Sequence, residues 1–246
     1  MIVVGMHRSG TSLLSGILER CGFFMGREQT QNRESVFFQD LNREILDLFG
    51  CSWRCPDFLP PVAELSQPSA WLKDFMTARL DREMISGHFG IHFLKALGTQ
   101  PFLWGWKDPR NSLLLPVWKT FFPYAKILHI RREGRAVALS LLAREIRREK
   151  GQKLFDLEKK KKIYSAHLAL REAYLQRIRE GMALFEATCT LQYENLLADP
   201  ESEIEKVLTS LKIPKKEVPR DALALINPEN TNKYEGSEFS WARELP

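Results

Sequence analysis

The order of apolar segments in this chain predicts an α/β protein with a central parallel β-sheet flanked by helices. Three observations carry that expectation. Short apolar runs fit for buried strands, at residues 1–5, 102–106, 125–130 and 188–193, alternate with longer amphipathic stretches. The first run passes at once into a glycine-bearing loop and then a helical pattern. The 246 residues, 44% of them hydrophobic, contain no Gly/Ser-rich or Pro-rich linker, so 1–246 reads as a single domain with one substantial core.

Each element has its own reason. Ile2, Val3 and Val4 are β-branched and do not alternate with polar residues, which suits a central strand buried on both faces. Leu13, Leu14, Ile17 and Leu18 fall on one face of a helix over 12–21. Residues 22–40 read as irregular, and 41–49 as a short amphipathic helix. Pro56, Pro60, Pro61 and Pro68 mark a surface loop, after which Ser69 caps a helix over 70–86. The strand at 125–130 feeds a helix over 134–149. A long basic helix spans 156–186, with Lys159 to Lys162 as a solvated face. A helix over 201–211 follows the last strand and precedes a polar, irregular tail. No internal repeat is present.

Lys and Arg outnumber Asp and Glu by 36 to 31, a formal charge of +5 that suits a phosphorylated ligand or an anionic polymer. Cys21, Cys51, Cys55 and Cys189 are scattered and read as free, mostly buried thiols of a reducing compartment. Cys51 and Cys55 lack the further ligands of a zinc site, and no metal is expected. Met1 runs straight into Ile2, Val3 and Val4 with no leader-like stretch, and no window is apolar enough to span a membrane. A cytoplasmic protein is the expectation.

In parallel α/β sheets, ligands sit beyond the carboxyl ends of the strands, so the residues after each strand are the ones to inspect. After the first come Gly5-Met6-His7-Arg8-Ser9-Gly10-Thr11-Ser12. Gly5 and Gly10 permit a tight turn, and the amides of residues 9–12 open a helix whose N-terminus favours an anion. A Walker A loop would place Lys where Thr11 stands, so the Lys that grips the outer phosphates of ATP or GTP is missing. After the second strand comes Lys107-Asp108-Pro109-Arg110, where Pro109 stops the strand and Lys107 points toward the crevice. After the third, Arg132 and the helix-borne Ser140 are placed to grip a second phosphate. Arg131, Arg132 and Arg135 at a helix start, where positive charge is unfavourable, imply an anion that holds them there.

Taken together, these motifs resemble the sulfotransferases that use 3′-phosphoadenosine-5′-phosphosulfate (PAPS). Arg8-Ser9-Gly10-Thr11-Ser12 is similar to that family's 5′-phosphosulfate loop, and Arg132 with Ser140 to its 3′-phosphate motif. Arg132-Glu133-Gly134-Arg135-Ala136 and Lys107-Asp108-Pro109 look like the tyrosylprotein branch. Tyr193 to Pro200 resembles a further segment whose Tyr lies near the nucleotide. The matches run in family order from residue 5 to about 200. The resemblance implies a P-loop NTPase-like three-layer sandwich, and PAPS as donor of a sulfuryl group to a hydroxyl or amine acceptor. It also implies donor binding by Arg8, Ser9, Gly10, Thr11, Ser12, Arg132, Ser140 and Tyr193, with Arg8 and Lys107 stabilising charge on the leaving phosphate.

The acceptor's proton needs a base. Glu34-Ser35-Val36-Phe37-Phe38 looks like the E-x-x-F-F segment of glycosaminoglycan sulfotransferases, which makes Glu34 the base; Glu28 is the alternative from the tyrosylprotein branch. Many bacterial relatives have Glu where Gln39 stands. The cytosolic small-molecule branch places a His two residues after the Lys that Lys107 matches, and here that residue is Pro109, so no His base is assigned. His129, inside a strand, reads as a hydrogen-bonded core residue. The nucleotide-covering tail motif of that branch is absent, with Asn230 to Tyr234 a loose candidate for it. Glycan, lipid, phenol and peptide acceptors stay open; nucleic acid is not expected as a partner. A nucleotide kinase or NTPase of related fold and a non-catalytic polyanion-binding protein are the competing readings.

Overall fold

The computed structural model describes residues 1–96, 98, 102–149, 155–213, 218–227 and 237–244. β1 (Ile2–Val4) passes through the loop of residues 5–10 into α1 (Thr11–Arg20). Then come α2 (Val36–Leu48), α3 (Val62–Leu65) and α4 (Ala70–Met84), which continues through a π turn (Ile85–Phe89) and a 3-10 turn (Gly90–His92) into α5 (Phe93–Ala96). β2 (Trp106–Lys107), α6 (Asn111–Phe121), β3 (Ile127–Arg131) and α7 (Gly134–Arg148) follow. The long α8 (Leu157–Met182) leads to β4 (Thr188–Gln192), α9 (Tyr193–Ala198), α10 (Pro200–Ser210) and α11 (Arg220–Leu223), with a last 3-10 segment (Ser237–Glu244).

The four strands form one parallel sheet in the order β2-β1-β3-β4. Ile2 stands opposite Trp106 on one side and Ile127 on the other, and Leu128 opposite Cys189. Successive strand residues face opposite ways. Ile2, Val4 and Ile127 enter a core shared with α2, α6 and α8, while Val3, Leu128 and Ile130 enter a second one with α1 and α10. This is the three-layer α/β sandwich expected from the strand and helix order.

Helices α1, α7 and α10 lie within one residue of their expected spans at each end. Three further differences have a clear physical cause. α2 begins at Val36, well before 41, because Phe37 and Phe38 are buried and Phe38 stacks on Trp106 with ring centroids 3.9 Å apart. β2 is confined to Trp106 and Lys107, since Trp104 makes only an isolated bridge to Phe24. α6 was hidden from pattern reading by Pro109 before it and Pro116 inside it. Pro116 removes the N–H that would reach back to Ser112, yet the helix holds because every residue from Asn111 to Trp118 is buried. All four cysteines are free; Cys21 and Cys51 are buried, Cys189 is half-buried and Cys55 is exposed.

Candidate active site

A pocket opens beyond the carboxyl ends of the strands, and each strand contributes a residue to it. Arg8 comes from the loop after β1, Lys107 from the end of β2, Arg132 from just after β3 and Tyr193 from just after β4. Gly10, Thr11, Ser12, Glu34 and Ser140 also line it. Of the eight residues expected to bind the donor, only Ser9 does not.

Ser9 instead folds the loop. Its hydroxyl and its amide both donate to the Met6 carbonyl, at 2.7 and 3.1 Å, and the residue is buried. Its N–H is therefore spent on the turn, which corrects the expectation that the amides from residue 9 onward are free for an anion. The amides that open α1 have no carbonyl a turn earlier to bond, and no side chain caps them. Arg8 holds a left-handed φ of 73°, uncommon for a non-glycine residue and characteristic of functional loops. Gly10, at φ 102°, admits no side chain, because a Cβ there would lie 2.4 Å from the Tyr193 ring.

The centre of the pocket is an ion pair. Lys107 Nζ donates to Glu34 Oε1 at 2.7 Å, to the Asn32 carbonyl at 2.8 Å and to Ser12 Oγ at 3.3 Å. Those three acceptors use the full donor capacity of an ammonium. Lys107 is 1% and Glu34 5% exposed, so Glu34 is no solvated loop carboxylate. Its position follows from packing. Trp106 stacks on Phe38, so the next residue along β2, facing the other way, meets the carboxylate that precedes α2. Burial alone would raise the Glu34 carboxyl, but the Lys107 ammonium and the Thr30 hydroxyl outweigh it and hold it below the usual carboxylate range. Burial lowers Lys107 from its ordinary value, against the pull of Glu34.

Asp108, fully buried, anchors this pair. It accepts from the Arg110 amide at 2.9 Å, from the Arg110 guanidinium at 3.1 and 3.2 Å, and from Asn42 Nδ2 at 3.2 Å. Asn111 ties the same turn to the sheet: it accepts from Asn42 at 2.8 Å and Trp106 Nε1 at 3.1 Å, and donates to the Val3 carbonyl at 3.2 Å. A fully matched buried network of this kind fixes Lys107 at one place and angle.

Across the pocket, Arg8 Nε donates to Ser140 Oγ at 2.8 Å. Arg132 reaches the Arg8 carbonyl at 3.3 Å, and its guanidinium lies 4.4 Å from the centre of the Tyr193 ring. The two phosphate grips read separately from the sequence are thus one cluster joined through Arg8. The arginine-rich start of α7 carries its own acidic cap. Glu133 caps it, accepting from the Arg135 and Ala136 amides at 2.9 and 2.7 Å, while Arg131 is exposed and Arg135 is bound to the Ala242 carbonyl at 3.0 Å. Only Arg132 of the three turns into the pocket.

Glu28 pairs with Arg27 at 3.1 Å at the surface and does not line the pocket; nor does Gln39. His129 is the buried strand residue expected, 3.4 Å from Thr190 Oγ1 and pushed by burial down to about 4. His88 is buried against Ser35 and pushed down to about 3. His7 does line the pocket, as do Asn32 and Arg144, which the sequence reading missed. Arg144 lies one helical turn beyond Ser140, and that i, i+4 spacing was the available signal. Asn230 to Tyr234 lie outside the described residues. Among the described residues, no group of three or more His, Cys, Asp or Glu side chains gathers as metal ligands would, and no helix is long and apolar enough to cross a membrane.

The backbone as a whole is similar to that of solved sulfotransferases. STF1 from Mycobacterium tuberculosis H37Rv superposes with a TM-score of 0.55 at 15% identity, over 95% of this chain and 75% of that one. The sulfotransferase domain from the curacin biosynthetic pathway gives 0.52 at 15% identity, over 98% and 81%. The sulfotransferase domain of the Synechococcus PCC 7002 olefin synthase gives 0.51 at 15%, also over 98% and 81%. At such identity the likeness speaks for the fold. No protein of curated function matches the sequence. The sequence model of the sulfotransferase family, however, matches residues 1–217, a span that takes in all four strands and every pocket residue named above. The chain therefore belongs to the sulfotransferase family and is a sulfuryl-transferring enzyme.

Proposed function

We propose that the donor is PAPS and that Glu34 is the base which readies an acceptor hydroxyl or amine. The observation that carries this reading is the contact of Lys107 with Glu34 at 2.7 Å and with Ser12 at 3.3 Å, where the anion-binding loop meets the base. The 5′-phosphosulfate lies over Gly10, Thr11, Ser12 and Arg8. The 3′-phosphate takes Arg132 and Ser140, and Tyr193 flanks the nucleotide. When the phosphosulfate enters, the Lys107 ammonium exchanges Glu34 for the bridging oxygen. Glu34, still buried and now without its counter-charge, becomes the stronger base. The acceptor atom attacks sulfur and its proton passes to Glu34. The S–O bond to the 5′-phosphate breaks, and its electron pair stays on the phosphate oxygen, beside Lys107 and Arg8. Fixed cations aimed at developing charge act mainly in the transition state. No metal enters this scheme.

The cysteine usage suits a reducing, cytoplasmic setting, and the reading takes 1–246 as one domain with a nucleotide donor and no nucleic-acid partner. Calorimetry with adenosine 3′,5′-bisphosphate, AMP and ATP, with and without magnesium, tests the reading. The bisphosphate should bind tightest and without metal. Equal binding of AMP removes the second phosphate grip, and magnesium-dependent preference for ATP would return the molecule to nucleotide kinase chemistry.

A further inference from the structure

The proposed donor accounts for Arg8, Lys107 and Arg132, and Arg110 is committed to Asp108. Arg144 is left over. It lines the pocket, yet its Nε and Nη2 are buried and meet no hydrogen-bond partner among the described residues. The adjacent Glu145 attracts it through space but makes its contacts with Arg54 at 3.2 Å and His167 at 3.3 Å. Arg8, Arg54 and Arg148 crowd it with like charge. A guanidinium stays charged throughout the ordinary pH range, and burying one without a partner is costly. Such a cost is tolerated where a ligand supplies the missing anion.

A second unmatched group stands beside it. His7 Nε2 is buried without a partner, and its ring packs on Trp53 at 4.3 Å between centroids. The same indole carries the Arg144 guanidinium 4.9 Å from its centre. Trp53 is itself fixed, its carbonyl accepting from the Tyr174 hydroxyl at 3.0 Å. One anchored ring thus carries two residues that line the pocket and keep unsatisfied polar atoms. Burial and the surrounding cations Arg110, Arg144, Lys107 and Arg8 keep His7 neutral, so in its Nε2–H form it is a single directional donor.

We propose that Arg144 and His7, carried on Trp53, form an acceptor subsite for a compact oxyanion, so that the molecule sulfated bears a carboxylate, phosphate or sulfate group near its reacting hydroxyl or amine. This rests on the donor reading above, since Arg144 is given to the acceptor by elimination. The planar fork of Arg144 suits two oxygens of one such group, and His7 meets a third contact.

The test fills the donor grips first. The protein saturated with adenosine 3′,5′-bisphosphate is titrated calorimetrically with matched probes: glucuronate against glucose, glucose 6-phosphate and glucose 6-sulfate against glucose, and 4-hydroxybenzoate against its amide. At least one charged probe should bind tenfold or more tighter than its neutral partner, and the charged set that does so separates carboxylate from phosphate or sulfate acceptors. Arg144→Gln should erase that preference, Arg144→Lys should retain part of it, and both should keep the wild-type affinity for adenosine 3′,5′-bisphosphate within about twofold. Absence of any charged preference overturns the proposal. So does an Arg144→Gln loss for the bisphosphate as large as for the probe, which would hand Arg144 to the donor. If the bisphosphate fails to bind wild-type protein, the donor reading has failed separately; the same probe pairs in the free protein then decide the oxyanion subsite.

Discussion

Arg132 and Tyr193 follow directly on β3 and β4 and Arg8 sits in the short loop after β1, whereas Glu34 and Trp53 come from the irregular stretches between α1 and α2 and between α2 and α3. The first set is held by backbone: a strand ends, a turn or helix begins, and the side chain has one direction in which to go. The second set is held by contacts between distant segments: Lys107, Thr30 and the stacking of Phe38 on Trp106 for Glu34, and Tyr174 with the cations around the indole for Trp53. The difference separates two jobs. A wall fixed to strand ends suits a constant ligand, which on the proposed reading is the nucleotide. A wall assembled from loop segments is free to differ with the acceptor, because loops accept change without disturbing the sheet.

That contrast breaks most readily at Glu34. Glu34→Gln should lower turnover about 100- to 10,000-fold, the usual worth of a positioned base, with adenosine 3′,5′-bisphosphate still bound. It should also lower the melting temperature, because Lys107 would stay buried without its carboxylate. Steady-state assay beside thermal denaturation measures both; retained turnover would move the base elsewhere. Lys107→Ala comes next, with about 100- to 1,000-fold in turnover, as for a lost oxyanion donor, against a far smaller change in product-nucleotide affinity. It carries a pH signature. The lowered Glu34 value keeps the carboxylate charged as pH falls, and without Lys107 its main lowering influence is gone, leaving only Thr30 and Arg110 against burial. The acid limb of kcat/KM must then shift to higher pH. By the same sign, the stability from the ion pair is present above the ordinary carboxyl value and is lost as pH falls through the lowered one.

On the nucleotide wall the effects are smaller and confined to binding. Arg132→Ala should cost about 1.5–3 kcal/mol in affinity for adenosine 3′,5′-bisphosphate, a charge-assisted contact, and leave AMP nearly unchanged. A parallel loss for both nucleotides in calorimetry would point instead to damage at the Tyr193 and Arg171 contacts of Arg132. Glu28→Gln should change turnover by less than about twofold, since that carboxylate pairs with Arg27 at the surface. A collapse of activity there would reverse the assignment of the two walls.

The same contrast governs what could be read from the chain. β1, the loop to Ser12, α7 with Arg132 and Ser140, and Tyr193 were legible because chemistry and backbone geometry share one short segment. Ser9 was misread because a hydroxyl in a phosphate-like loop bonds its own turn as readily as a ligand. The start of α7 was misread because the capping role of Glu133 was overlooked beside three arginines. Asn42, Asn111 and Asp108 were invisible as a group: they meet across α2, α6 and β2, and no spacing encodes that meeting. α6 was lost to Pro116, where complete burial outweighs a missing hydrogen bond.

The strand order also sets a length. Across the sheet, β2, β1, β3 and β4 present Lys107, the Arg8 to Ser12 loop, Arg132 and Tyr193 in that sequence. Neighbouring strands are about 4.8 Å apart, so the strand ends that launch these groups span roughly 14 Å, from which the side chains converge on the pocket. The sheet edge is therefore a ruler, graduated by strand spacing, with Lys107 at one end and the Tyr193 ring at the other. On the proposed reading a donor is measured on it rather than merely held: one that is a phosphate shorter would leave a graduation unread, and one that is longer would overrun Lys107. Because hydrogen-bonded strands cannot change their spacing, substitutions at the pocket can alter how firmly each mark is gripped, while the distance between marks is set by the fold.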